Sequence, residues 1–240
     1  MISAQTIEAF NYAQKQAIAL LVHGMQQIRL GMSEVDILNS FEHAAPSFGF
    51  QGFLRRPVVH INYRPSLRWG PSNTRQIQKG SVVQLHLQPC TTEAFGNIGL
   101  SFTFDSPNLP IVDKARDICI ATCTFAGHTK KSGELLVFAQ SWATNHRTEL
   151  NRSSIGHFCF AKEDNGLFAF TWPNSMRLFT QLRRYQLQWF NPRPLYGIYA
   201  IHPEIKQDNR RVGFAELILV TPEDRIVLGR DSLEKLCSFD

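Results

Sequence analysis

Long apolar runs are missing from these 240 residues, and none is long enough to span a bilayer as a helix. Met1 to Gln5 carry no basic segment leading into an apolar one, so no secretory signal is expected. Cysteine is scarce: Cys90, Cys119, Cys123, Cys159 and Cys237 are five in number and form no Cys-x-x-Cys pair. That count and spacing argue against a disulfide framework or a zinc site. Cys119 and Cys123 are one helical turn apart and suit helix packing. The expected setting is reducing and cytoplasmic. A block of basic charge is also missing. The formal charge of +5 is spread over separate pairs, Arg55-Arg56, Lys130-Lys131, Arg183-Arg184 and Arg210-Arg211. A nucleic-acid footprint needs a contiguous basic face with interleaved aromatics, so neither nucleic acid nor a membrane is expected as a partner.

What is present is enough chain for a substantial core, read as one domain over 1–240. The organising stretch runs from Lys79 to Pro89. Val83, Leu85 and Leu87 alternate with Gln84, His86 and Gln88, the period of a strand with one face on a core and the other toward a cavity or solvent. Helices are predicted over Ser3–Leu30, stopped by Gly31, and over Ser33–His43, capped by Ser33. A short strand is expected over Val58–Asn62, carrying His60, then a loop over Arg64–Lys79. A turn over Pro89–Gly96 leads to a second run, Ile98–Phe104, able to pair with the first as a hairpin.

Two further helices follow, Ile111–Phe125 and Gly133–Asn145, the second with Ser132 as its cap. Ser153–Phe160 contains Gly156-His157. Glu163–Gly166 reads as a turn, and Met176–Leu187 as helical within an aromatic-rich segment. Strands are expected over Gly197–Pro203, with His202 near its end, and over Gly213–Val220. A turn at Thr221–Asp224, a short strand Arg225–Leu228 and a last helix from Ser232 complete the chain. The repeated order of helix pair and strands hints at an internal duplication. Glu216 is the second oddity, a carboxylate inside an apolar run. Burying it costs several kcal/mol unless it is paired or binds a metal, and an exposed strand edge is the alternative.

These residues together resemble the methionine aminopeptidase, prolidase and creatinase family. Lys79-Gly80-Ser81-Val82-Val83-Gln84-Leu85-His86 resembles the strand that ends in the family's first metal-binding aspartate. Thr103-Phe104 resembles its Arg-Thr-Phe ending. Gly156-His157 resembles the start of Gly-His-Gly-Ile-Gly, and Ile201-His202-Pro203 resembles Ile-Glu-Pro. Gly213-Phe214-Ala215-Glu216 with Leu219-Val220-Thr221 resembles the final glutamate segment. The likeness runs from about Ala4 to Leu236. It implies an α+β, pita-bread fold in which duplicated helix-helix-strand units surround a curved antiparallel sheet.

The departures bear on function. Where the family holds two divalent metals with two aspartates, a histidine and two glutamates, this sequence reads His86, Asn97 (or Gly99), His157, His202 and Glu216. Trp69 stands at the expected place of a substrate-side histidine; the other such histidine has no clear counterpart. Two dications about 3.5 Å apart repel by roughly 19 kcal/mol at an effective dielectric near 20. One carboxylate does not offset that, so no dinuclear centre is expected. The resemblance implies instead a repurposed mononuclear site, with His86, His157, His202 and Glu216 around one Fe, Mn, Zn, Cu or Ni ion. Asn97, His60 and Trp69 are candidate ligands or pocket walls. The implied substrate is an amino acid, a peptide or an amino-acid-derived small molecule, met by hydrolysis, a lyase step or oxidation. A homodimer is among the implied states. The alternative is an inactive relative serving as a binding or interaction module, with the aromatic segment Phe158–Phe190 as its contact surface.

Overall fold

The computed structural model describes residues 2–62, 71–72, 74–151, 154–162, 172, 174–179, 185–188, 194–208, 210–222 and 225–229. The expected turn at Glu163–Gly166, the helix from Ser232 and Trp69 lie outside the described residues.

Helix α1 (Ala4–Gln27) starts where Ser3 Oγ accepts the Thr6 N–H at 3.0 Å. It stops short of Leu30, because Ile28 is already extended and Gly31 turns the chain at a φ of 85°. Helix α2 (Glu34–Ala44) opens on a reciprocal cap. The Asp36 N–H donates to Ser33 Oγ, and the Ser33 N–H donates to Asp36 Oδ2. Helix α3 (Pro110–Phe125) begins on a proline, whose missing N–H costs nothing at that position. Helix α4 (Ser132–Asn145) already includes Ser132. Lys131 is the residue before it, and no side chain caps it, contrary to the expected Ser132 cap. Of the helix expected over Met176–Leu187, residues 180–184 lie outside the described residues, and the described part is α5 (Asn174–Phe179). Gln186 instead forms a β-bridge with His157.

The strands are β1 (Gly52–Phe53), β2 (Val58–Ile61), β3 (Val82–Leu87), β4 (Pro89–Cys90), β5 (Ile98–Thr103), β6 (Glu149–Leu150), β7 (Gly156–Phe158), β8 (Gly197–Ile201), β9 (Glu204–Gln207), β10 (Arg210–Gly213), β11 (Glu216–Val220) and β12 (Arg225–Val227). All pair antiparallel, in the orders β2-β3-β5, β12-β11-β8-β7, β10-β9-β6 and β1-β4. The strands expected over Gly197–Pro203 and Gly213–Val220 are each interrupted. β8 ends at Ile201, and Phe214-Ala215 separates β10 from β11.

Each half lays a helix pair on a sheet. Val83, Leu85 and Leu87 of β3 pack with α1 and α2 in one core. Tyr199 and Ile201 of β8, with Ile218 and Val220 of β11, pack with α3 and α4 in another. The halves join where Gly99 and Ala215 exchange backbone hydrogen bonds of 3.1 and 2.8 Å.

Gly96 is among the glycines required by close approach. A Cβ at Gly96 would lie 2.4 Å from Ala17 Cβ and 2.8 Å from the Ala13 carbonyl oxygen, both on α1. Gly96→Ala must therefore push the turn before β5 off the helix. The expected cost is about 2 kcal/mol of stability, typical of an overpacked core, read as a lower urea midpoint at unchanged slope.

Candidate functional site

The alternation of β3 decides which of its side chains leave the helix-packed core. Leu85 and Leu87 enter it, so His86 and its neighbours Gln84 and Gln88 face the other way. Asn97 follows Gly96 and is fully buried. Its backbone is clamped by Gln14 of α1: the Asn97 N–H donates to Gln14 Oε1 at 2.8 Å, and Gln14 Nε2 donates to the Asn97 carbonyl at 3.1 Å.

A hydrogen-bonded row runs through this face. Asn97 Oδ1 accepts from His86 Nε2 at 2.6 Å and from Gln88 Nε2 at 3.1 Å. Gln88 Nε2 also lies 3.5 Å from His157 Nε2 on β7. His157 Nδ1 is 3.2 Å from the Phe158 carbonyl, which can only accept. His157 therefore carries its proton on Nδ1 and presents the Nε2 lone pair to Gln88. Burial, reinforced by the positive charge of Arg55, pushes the pKa of His157 down to about 3, so the ring is neutral near pH 7.

His202, just past the end of β8, completes the group. Its N–H donates to the Ile155 carbonyl at 2.7 Å. Its ring centroid lies 5.7 Å from that of His86 and 5.6 Å from that of His157. A small cleft opens beside it, with His86, His202, Gly99 and Ala215 in its wall. Glu204 also lines the cleft, but its carboxylate is paired with the Arg211 guanidinium and accepts from Asn151 Nδ2 at 2.7 Å.

The structure thus brings together His86, His157, His202 and Asn97, and it does not bring Glu216 to them. Glu216 shares its strand face with Ile218 and Val220, which pack toward α3. Its charge is felt at the Cys119 thiol of α3, whose pKa is raised, first by its hydrogen bond with Cys123 and by burial. The residue that faces the cleft is Ala215, one position earlier. His60 pairs with Gln84 across β2 and β3 on the face away from Val59 and Ile61, so it stands beside the site, 9% exposed. Gly99 supplies only cleft backbone, so the side chain against His86 is Asn97's.

No group of three or more His, Cys, Asp or Glu arranged to hold a metal ion occurs among the described residues. The donor set fits a dinuclear centre poorly. Among the described residues, the one carboxylate in the cleft wall, Glu204, is paired with Arg211, and His86 Nε2 donates to Asn97 Oδ1. Sequence reasoning missed Gln88, Gln14 and Ala215. The alternation of β3 marks Gln88 as a companion of His86, whereas nothing local marks Gln14, 83 positions from its partner.

The model of metallopeptidase family M24 matches residues 8–222. The chain belongs to that family. Its fold is similar to X-Pro aminopeptidase from Thermotoga maritima (16% identity, TM-score 0.74), covering 95% of this chain and 62% of that one. The prolidase from Pyrococcus horikoshii is similar at 18% identity and a TM-score of 0.73, with 95% and 62% covered. Methionine aminopeptidase from Thermotoga maritima is similar at 14% identity and 0.71, with 95% and 98% covered. The chain therefore spans about six tenths of the first two and nearly all of the third. No curated protein matches it. The pita-bread, α+β fold implied by the sequence is the fold observed.

The depressed His157 pKa has a definite sign. Between about 3 and the ordinary 6.5, the unfolded chain takes up a proton that the native ring refuses. That contribution to stability is intact above pH 6.5 and is lost as the pH falls toward 3. Urea titrations of the unaltered chain and His157→Gln should show the unaltered chain losing on the order of 3 kcal/mol more between pH 7 and 4.

Proposed function

We propose that this chain uses the M24 fold as a binding module for a small molecule or peptide, and does not carry out dinuclear-metal peptide hydrolysis. The observation that carries this reading is the row His86–Asn97–Gln88–His157, in which each pair matches a donor to an acceptor. Such a row is held in place by its own hydrogen bonds and does not call on a cation to position it. With Ala215 facing the cleft, the one carboxylate in the cleft wall, Glu204, is already paired. Among the described residues of that wall, no other carboxylate offsets the roughly 19 kcal/mol of repulsion between two adjacent dications.

A second reading is one Fe, Mn, Zn, Cu or Ni ion on His86, His157 and His202. The 5.6 and 5.7 Å ring spacings favour it. It requires His86 Nε2 to surrender Asn97 and become an electron-pair donor. Glu216 is left out of this set. We further place the protein in a reducing, cytoplasmic setting, supported by the free, buried thiols of Cys90, Cys119, Cys123 and Cys159.

Elemental analysis after supply of each metal, alongside assays on X-Pro dipeptides and Met-initiated peptides, separates the readings. The expected result is well under one ion per chain and no hydrolysis above background. One tightly held ion, lost in His202→Ala, establishes the second reading instead. Two ions with peptide cleavage overturn both.

A further inference from the structure

A second opening lies between the tip of the β9–β10 hairpin and the start of α3, and it shares no lining residue with the cleft. The period of two explains why it forms. Ile205 of β9 and Val212 of β10 are cross-strand partners that pack into the core with α3 and α4. Gln207 and Arg210, the partners at the hairpin end, lie on that same face two residues further out. Polar side chains there cannot continue the core. They stand opposite Leu109, Pro110 and Ile111 at the start of α3, and a cavity of about 150 Å³ is left between the two walls. A space of roughly that volume accepts an apolar group as large as benzene.

The rim of this groove carries one charge of each sign. Asp208 and Arg210 both line it, and both are open to solvent. The charges around them are already paired: Arg211 with Glu204, Lys206 with Glu149 at 2.8 Å, and Asp113 of α3 with Arg116 at 3.7 Å. Among the described residues, Asp208 and Arg210 enter no ion pair. Asp208 occupies the turn at a φ of 54°, a left-handed conformation that aspartate and asparagine tolerate better than most side chains. A carboxylate and a guanidinium are thus carried on one tight turn, within reach of a single small molecule, beside an apolar wall. Gln207 adds an amide that can donate or accept.

We propose that this groove binds a free α-amino acid with a branched apolar side chain. The ligand's carboxylate pairs with the Arg210 guanidinium and its ammonium with the Asp208 carboxylate, while its side chain lies against Leu109, Pro110 and Ile111. A zwitterion meets both rim charges at once. A simple anion or cation meets one and is repelled by the other. Leucine, isoleucine and valine carry apolar groups of the size the cavity accepts. The site is separate from the cleft of His86 and His202, so it stands or falls independently of the binding-module reading.

The test is calorimetric titration of the full chain with L-leucine at matched ionic strength, alongside analogues that each lack one feature. 4-Methylpentanoate lacks the ammonium, 3-methylbutylamine lacks the carboxylate, and glycine lacks the side chain. Leucine should bind saturably, at least ten-fold more tightly than each analogue. Asp208→Asn removes the negative charge and keeps a residue suited to the left-handed turn. Arg210→Gln, made separately, removes the positive charge. Each should weaken leucine binding at least ten-fold with an unchanged circular dichroism spectrum, and if one variant fails to fold the other decides. The absence of saturable leucine binding overturns the proposal, as does any analogue that binds within ten-fold of leucine. A loss of less than ten-fold in a folded variant places the amino acid elsewhere and overturns it too.

Discussion

A strand presents successive side chains to opposite faces, and that period of two governs what can meet in this molecule. On β3 it sends Leu85 and Leu87 into the core under α1 and α2 and leaves His86 and Gln88 on the inner face. On β11 it sends Ile218 and Val220 toward α3 and α4, and Glu216 goes with them. The site is composed of whatever falls on the inner face of each strand. A shift of one position separates a carboxylate at the site from a methyl group there, and the chain has Ala215 in that place.

The inner face, among the described residues, is correspondingly built mainly of imidazoles and amides. Clustered carboxylates repel one another by about 4 kcal/mol per pair at 4 Å and an effective dielectric of 20, and only a cation makes such a cluster stable. Imidazoles and amides carry no such debt. Each can donate at one atom and accept at another, so His86, Asn97, Gln88 and His157 close a row among themselves. Burial then favours the neutral form of His157 further, because a charged ring would lose its hydration without gaining a counter-charge.

Much of this was legible in the sequence, and what was not has a physical cause. The helix starts at Ser3 and Ser33 were readable because capping is local chemistry over three residues. The hairpin of β3 and β5 was readable from period-two alternation on both sides of a turn. His86, His157 and His202 were singled out by segments that resemble the family, and the fold brings their rings together. Glu216 misled because it is the only acidic residue in its run, and motif reading fixes position only to within a residue or two. The break at Phe214-Ala215 resets the facing of that segment, a property of the strand junction with no composition signal. Gln14 could not be found at all, since its role depends on a helix crossing over a turn far along the chain.

The clamp from α1 has a consequence for how the site coexists with folding. Asn97 is held by two hydrogen bonds from Gln14 and by the close approach of Gly96 to Ala13 and Ala17. Those contacts belong to the same helix that supplies Ala17, Ile18, Leu20 and Leu21 to the first core. The geometry of the inner face is therefore set by apolar packing on the outer face, through a turn too tightly seated to move independently. A site positioned by a cation would be loose until the ion arrived, with its binding energy spent partly on ordering its own ligands. A site positioned by a packed helix is ordered beforehand. The ordering cost is met during folding, and less of a ligand's interaction energy is lost when it binds. In this chain the imidazoles and amides of the inner face sit on a frame that the packed helix holds rigid before any ligand arrives.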